Sequence, residues 1–574
     1  MGQDIPETKD QHGAQAQELE TISPSNSSRQ DEQVAEKGGE DDGYIHQEMN
    51  WRLFLSLTAM AFLWVGSQIP LYLFGSVLPL IYSDIGGVDR YVWFVIGYLI
   101  PNAALCPFVG ALSDMYGRRN VAMVGQVTLI VGPVITATAH TMNIAICGQV
   151  FSGLGAGLNE LIALAGTGEL VPVAKRGKYV GAIVFAIIPF CPSALWLNSS
   201  PPTPTGGLIF VAIFYKDPPV RHRPTKMEIL RKVDYIGGLL SIGGCLLFMM
   251  GMQWGAVQYK WTSAHVLAPF ILGIILIISF FVWEVKFAPH PMVPARIFSL
   301  EKRTMIIILI ITFVSGGNFF VLLMMWPSQI YNVYGPGPVK IGLRTLPMGF
   351  GIIGGSFIAL ALLPYIKGRI KELMIVATVI MTAFCGAMSV GNPDNINTLY
   401  AIVLFASLGC GAVIIPASII AQIICPPDLI ATITAITLAV RYIGGAVAFT
   451  AYYNAVESKY IAYATPMVAV DGIIKQGIVS PDNLDAVTVL VTYVGAFQFK
   501  ELQEFIDASP LVMRKDVAFD LIVRSSQEAF ALAYQYPYWI SIAFGGTTCI
   551  LAFFLRDIRK FMTMQITAGA VRED

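Results

Sequence analysis

Glu160 is the deepest carboxylate in the chain. It follows Asn159 in the run 143–170, whose one other charged residue is Glu169, near the far end. An ionisable group in a greasy segment is costly and is a functional candidate by default. Burial disfavours the charged form of a carboxyl, so Glu160 could take a proton from one side and release it to the other. It could equally serve as a structural partner for an arginine or a backbone amide on a neighbouring helix. Arg344 and Arg441 stand in later apolar runs. Either could pair with Glu160, contact an anionic substrate, or pair within its own half of the chain. Gln68, Asn318 and Gln329 could hydrogen-bond a polar ligand or link helices. Glu169 lies near Lys175 and Arg176 and reads as an end-pairing residue. The aromatics Tyr72, Trp93, Phe94, Phe185, Phe320 and Trp326 could line an apolar cavity, although packing or interface anchoring explains most of them.

A second constellation is "GALSDMYGRRN", residues 110–120, set between the uncharged stretches 91–109 and 121–150. Gly110 and Gly117 allow close packing and a tight turn. Asp114, at the end of one helix, can reach Arg118, Arg119 or the start of a neighbouring helix. An ordinary basic turn accounts for the arginines but not for the glycines and the aspartate at fixed offsets from Leu112. Other chemistries find no support. The six histidines are scattered, and the eight cysteines show no CxxC spacing and read as small buried hydrophobes, so no metal site and no cofactor are expected. No phosphate-binding G-x-x-x-x-G-K-S/T run and no Ser/His/Asp arrangement is present, which argues against an ATP-driven pump and against an enzyme.

The elements that must hold these residues are membrane helices. The chain has 574 residues, 55% hydrophobic and 13% charged, and a mean hydropathy of +0.63. A soluble protein carries about 25% charged residues. The net charge of −1 comes without a basic stripe, so no nucleic-acid partner is expected. Spans need about 20 apolar residues. By that measure candidate helices lie at 53–82, 91–112, 121–141, 143–170, 178–197, 206–216, 235–254, 264–284, 304–326, 339–363, 373–390, 398–424, 430–453 and 537–555. Residues 1–50 are polar and acidic and read as a disordered tail. With no apolar run at the start, the first span serves as the targeting signal. With the N-terminus inside, six of the seven inner segments, such as "MYGRRN", "VAKRGK" and "KGRIKE", are rich in Lys and Arg, while the short outer loops carry at most one. Both termini are therefore expected in the cytoplasm, with 556–574 as a second tail. The segment 454–536 mixes apolar and charged residues and suggests amphipathic helices at the outer face.

The 110–119 loop resembles the signature G-x-L-x-D-R-x-G-R-R/K of the major facilitator superfamily, with Met115 in place of the usual basic residue. The stretches 159–193, "GLRTLPMGFGIIGG" (342–355) and "WVGSQIPLYLFGSVLPLIYSDIGG" in the first helix resemble the fungal trichothecene efflux pumps, close to the fungal siderophore transporters. The resemblance covers most of residues 50–560. It implies an all-α polytopic membrane protein of the major facilitator fold, with two six-helix bundles and two inserted central helices. The N-terminal bundle is 51–216. The basic loop, inserted pair and following loop span 217–303, and the C-terminal bundle is 304–555. It also implies that Asp114 and Arg118 belong to a loop that clamps the halves together in one state. The implied function is secondary active export of a small fungal metabolite by proton antiport, from a monomer in the plasma membrane, its other partners being protons and the lipid bilayer. Siderophore import by proton symport is the alternative, and a non-transporting sensor is a third reading that the intact loop disfavours. Three departures set the chain apart from drug antiporters of this kind. Gln149 stands where they carry an arginine four residues before Gly153, the fifth helix lacks G-x-x-x-G-P, and the first helix lacks an acid. The sixth helix also looks truncated. After the proline-rich "NSSPPTPT", Gly206–Tyr215 gives about 16 Å of helix at about 1.5 Å per residue, against a hydrocarbon core of about 30 Å, as if a segment were missing.

Overall fold

The computed structural model describes residues 51–186, 227 and 234–561, apart from 88–89, 173–174, 256–258, 336, 367–368, 427–428 and 496–497, and gives the backbone alone at some helical positions, 114 and 115 among them. The expected tail 1–50, the end of the fifth helix, the short sixth helix and most of the final tail lie outside the described residues.

The described residues are helical, without a named strand. The first half consists of α1 (Trp51–Ile85), α2 (Tyr91–Tyr116), α3 (Arg118–Ala137), α4 (Met142–Leu170) and α5 (Arg176–Phe185). Next comes the pair α6 (Tyr235–Trp254) and α7 (Ala264–Lys286). The second half contains α8 (Lys302–Tyr334), α9 (Pro338–Tyr365), α10 (Ile370–Ala387), α11 (Ile396–Ile423) and α12 (Ile430–Ile474). The shorter α13 (Leu484–Gly495), α14 (Phe499–Ala508) and α15 (Lys515–Ala533) follow, and α16 (Gln535–Ala552) closes the chain. Among the described residues eleven helices are long and apolar enough to cross a membrane. This is an integral membrane protein.

Two helices overrun the lengths expected from composition. The apolar run 304–326 is part of a helix that continues to Tyr334 through a π-type turn at Val321–Met325. Pro327 lacks an N–H and its ring crowds the carbonyl one turn back, and the widened turn relieves both conflicts. The run 430–453 continues to Ile474, beyond the first charged residues, because the extension packs elsewhere: Tyr460 stacks on Phe530 of α15 with ring centroids 3.7 Å apart. The segment expected to leave the helix at 454 therefore starts as helix, and its amphipathic remainder forms α13–α15.

Burial ranks the helices. The apolar window of α4 is 83% buried and that of α7 only 11%, so α4 runs through the centre and α7 along the outside. α7 packs chiefly on α6, and α6 on α2 and α12. Asp234 caps α6 by accepting from the Gly237 amide at 2.8 Å, and it also accepts from Trp283 of α7 at 2.9 Å. The halves meet where α2 and α4 pack on α12 and where α5 packs on α9. Within the second half, α8 and α12 approach backbone to backbone at Arg441 and one turn beyond it. A Cβ added at Gly316 would meet the Arg441 carbonyl, and one added at Gly444 would meet the Phe313 carbonyl. Small residues are what permit such an approach in lipid.

Gly444→Leu is therefore expected to destabilise the purified protein by about 3 kcal/mol or more, the upper range for overpacking. Gly354→Ala should be neutral, since an added Cβ there meets nothing within 4 Å among the described residues. Thermal unfolding in detergent compares them, and equal midpoints would remove the α8–α12 contact from the account.

Candidate functional site

Glu160 is fully buried in α4, and its carboxylate is met by α12 of the other half. Arg441 donates through Nη2 to Glu160 Oε1, and the Tyr442 hydroxyl donates to Oε2. Arg441 is itself 6% exposed. The guanidinium lies 4.8 Å from the centre of the Tyr442 ring, and the Phe320 ring meets Tyr442 edge-on. Each partner is desolvated, so the attraction is strong and loss of one partner would strand the other's charge. α4 can reach this place because it is rich in glycine. A Cβ at Gly153 would meet the Tyr98 carbonyl of α2.

Of the two arginines considered from sequence, Arg441 meets Glu160 and Arg344 does not. Arg344 stays in the second half, donating to the Tyr334 carbonyl at 3.1 Å, with its guanidinium 5.8 Å from the Tyr334 ring. Asn159 is buried beside Gly125 of α3, and its amide atoms have no hydrogen-bond partner among the described residues. Gln68 of α1 lies 3.4 Å from Ser67 Oγ, and Tyr98 donates to the Ser67 carbonyl at 2.7 Å. Gln68, Trp64 and Tyr72 face Arg441 and Tyr442 across a central space of about 30 Å³, which Ser356 of α9 also lines. That volume holds a water or two and excludes a drug-sized molecule. The halves are closed on each other here. Gln329 links helices instead, accepting from Tyr538 of α16 at 2.6 Å.

The 110–119 loop forms the turn between α2 and α3. Gly117 has φ +82°, a conformation that favours glycine, so the tight turn is realised there. Gly110 differs from expectation: among the described residues nothing lies within 4 Å of an added Cβ, so it is not a close-packing site. Leu112 packs against the core and Arg119 is half-buried. The Asp114 side chain lies outside the described residues. Arg118 forks onto Glu169 at the end of α4, with Nη2 2.7 Å from Oε1. Glu169 is thus an end-pairing residue, held by the loop.

Sequence reasoning missed two contributors. Tyr442 gave no signal beyond standing next to Arg441. Arg176, read only as a basic neighbour of Glu169, is 1% exposed. Its Nε donates to the Gly168 carbonyl of α4 at 2.7 Å and its Nη1 to the Gln422 carbonyl of α11 at 3.2 Å. It therefore ties the two halves at the end that carries the 110–119 loop. The signal available was an arginine directly before Gly177, at a helix start where carbonyls of another helix end.

Glu160→Ala and Arg441→Ala should each lower stability by about 3–5 kcal/mol, while Glu160→Gln with Arg441→Gln should recover most of the loss. Unfolding midpoints in detergent measure both. Single losses that simply add in the double variant would mean the two groups do not interact.

Residues 203–569 match the fungal trichothecene efflux pump family (TRI12), and residues 83–189 match the sugar (and other) transporter family. The chain is 28% identical over 421 residues to the MFS-type transporter ucsD of an Acremonium species, covering 69% of each chain. It is 27% identical over 413 residues to the MFS-type transporter gkaD of Penicillium citrinum, covering 68% of each. Among solved structures it is similar to a bacterial homologue of the human lysosomal transporter Spinster, inward-facing and unoccupied, at 13% identity and a TM-score of 0.49, covering 90% of this chain and 98% of that one. With that family's match covering more than half of the chain and the MFS-type relatives agreeing with it, this protein belongs to the fungal trichothecene efflux pump family of major facilitator transporters.

Proposed function

We propose that this protein exports a small, trichothecene-like fungal metabolite in exchange for protons. It works as a monomer in the plasma membrane with both termini in the cytoplasm. The observation that carries the reading is the placement of one carboxylate, Glu160, between the two halves, bound to Arg441 and Tyr442.

An ionised Glu160 holds α4 to α12. A proton on that carboxylate removes the charge that Arg441 faces, and the attraction between the halves weakens. The central space beside Gln68 and Arg441 can then widen to admit a substrate. Release of the proton restores the ion pair and closes the space. If the proton comes from outside and leaves to the cytoplasm, each cycle can carry one substrate molecule the other way. Arg176 on Gln422 ties the halves at the loop end and must let go when the site faces inward, while Arg118 on Glu169 braces the loop within the first half. Asp114, Gly117 and Arg119 complete that clamp, and the basic loops on the same side support its cytoplasmic placement.

Yeast cells expressing the protein should retain less labelled deoxynivalenol than control cells, and a protonophore should abolish the difference. Glu160→Gln should export no more than the control at any external pH, although the purified variant still binds the toxin. Export by Glu160→Gln with wild-type pH dependence would make that carboxylate purely structural. Unchanged toxin retention together with uptake of labelled ferric siderophore would replace export by import. Arg118→Ala should reach the membrane normally and slow export roughly tenfold or more, as expected when a conformational step becomes limiting.

A further inference from the structure

A second cavity lies beside the central space and is far larger. It has a volume of about 550 Å³, opens to the outside, and is bordered by α2, α8, α12 and the α6–α7 pair. Small-molecule sites span about 300–1,000 Å³ and are mostly apolar. This one is walled by residues such as Ala103 and Pro107 of α2, Cys245 and Phe248 of α6, Phe281 of α7 and Val440 of α12. Among the described residues no charged one lines it, and the hydroxyls of Ser241 and Tyr442 are engaged. Ser241 donates to the Gly238 carbonyl at 3.0 Å, and Tyr442 donates to Glu160. Such a wall rejects an ion or a sugar and accepts a hydrocarbon framework.

Its position distinguishes it from a simple gap under the peripheral pair. Tyr442 is the one residue common to this wall and to that of the central space. On α12, Ala439, Val440 and Ile443 face the large cavity, Arg441 faces the central space, and Tyr442 stands between. The tyrosine is held there by its bond to Glu160. The same bond that closes the halves therefore also holds the partition between the two spaces. A lipid tail filling a gap would not need the wall shared with the central space.

We propose that this side chamber binds the hydrocarbon body of a neutral, lipophilic small molecule drawn from the bilayer, and that Tyr442 admits it to the central space when its bond to Glu160 is released. The proposal rests on the transporter reading above and adds the substrate class and its route: an uncharged isoprenoid-sized molecule entering between helices. The α6–α7 pair then acts as the outer wall of a substrate chamber.

The test uses the full-length protein in phosphatidylcholine nanodiscs, photolabelled with a diazirine-bearing farnesol and mapped by peptide mass spectrometry. Adducts are expected on 241–249 and 439–447. Excess unlabelled farnesol should reduce them about tenfold, as should Ala104→Trp, which fills the chamber from α2 away from Glu160 and Arg441. Cys245→Phe repeats the block from α6 should Ala104→Trp fail to fold. Adducts that persist at full level with competitor and in the blocked variants would mean that ordinary lipid occupies the chamber and would overturn the proposal, as would no adduct on those segments. Toxin export by the same variants separates the two readings. Competed labelling in a protein that exports nothing keeps the chamber and removes the exporter. Export by Ala104→Trp at the wild-type rate keeps the exporter and removes the chamber.

Discussion

Two opposite charges taken out of water hold each other tightly, because neither has another way to be satisfied. In this protein the charges sit on different halves of the chain, Glu160 on α4 and Arg441 on α12. Much of the surrounding architecture serves to bring them together. The glycines of α4 let α2 close in on one side. Gly316 and Gly444 let α8 and α12 touch through their backbones at Arg441 and just beyond it, which fixes where α12 presents the arginine. Tyr442 satisfies the second carboxylate oxygen. Lipid supplies no attraction between helices beyond packing and hydrogen bonds. A cross-half ion pair in the middle is accordingly a strong tie and a single point of failure.

The ends of the molecule are held in other ways. At the end with the 110–119 loop, Arg118 stays within the first half on Glu169, while Arg176 reaches across to Gln422. Gln422 in turn donates to Thr434 of α12 at 2.9 Å, so the latch connects to the helix that carries Arg441. At the far end of α8, which also packs on α1, the following side-chain bonds run within the second half. Asn332 donates to Tyr534 at 2.8 Å, and Arg524 of α15 meets Asp394 at 2.7 Å in the turn before α11. Among the described residues α13–α15 pack chiefly on α8, α12 and α16 of the second half.

Much of this was legible in the sequence, for a physical reason. Isolated charges are expensive in apolar runs, so Glu160, Arg344 and Arg441 stand out without any structure, as do the glycines and arginines of the 110–119 turn. Which arginine meets Glu160 was not legible. Both lie in the later half, and the answer depends on how α12 and α9 cross the first half. Helix ends were legible only where composition changes with structure. α12 outruns its apolar stretch because Tyr460 and its neighbours pack on α15 rather than on lipid, and α8 passes Pro327 because a widened turn absorbs it. Gly110 shows the opposite error: a residue fixed by a recognisable pattern did not carry the packing role that its type suggested. Tyr442 could not be singled out among 23 tyrosines, since its importance comes entirely from what lies opposite.

The central pair has to be both a tie and a switch under the proposed mechanism, and the magnitudes allow it. Breaking a buried pair by neutralising one partner costs about 3–5 kcal/mol. Moving a two-state protein from almost wholly closed to almost wholly open takes about 5.5 kcal/mol. These are the same size, so one proton on Glu160 supplies most of what a change of state requires, and a bound substrate need add only the remainder. A weaker tie, such as an exposed pair worth up to about 1 kcal/mol, could not hold the halves against leak. A much stronger one could not be released by a single proton. Under the same proposal the neighbouring tyrosine, which lines both spaces, links that event to the side chamber, so that the proton which frees the halves also frees the path between those spaces.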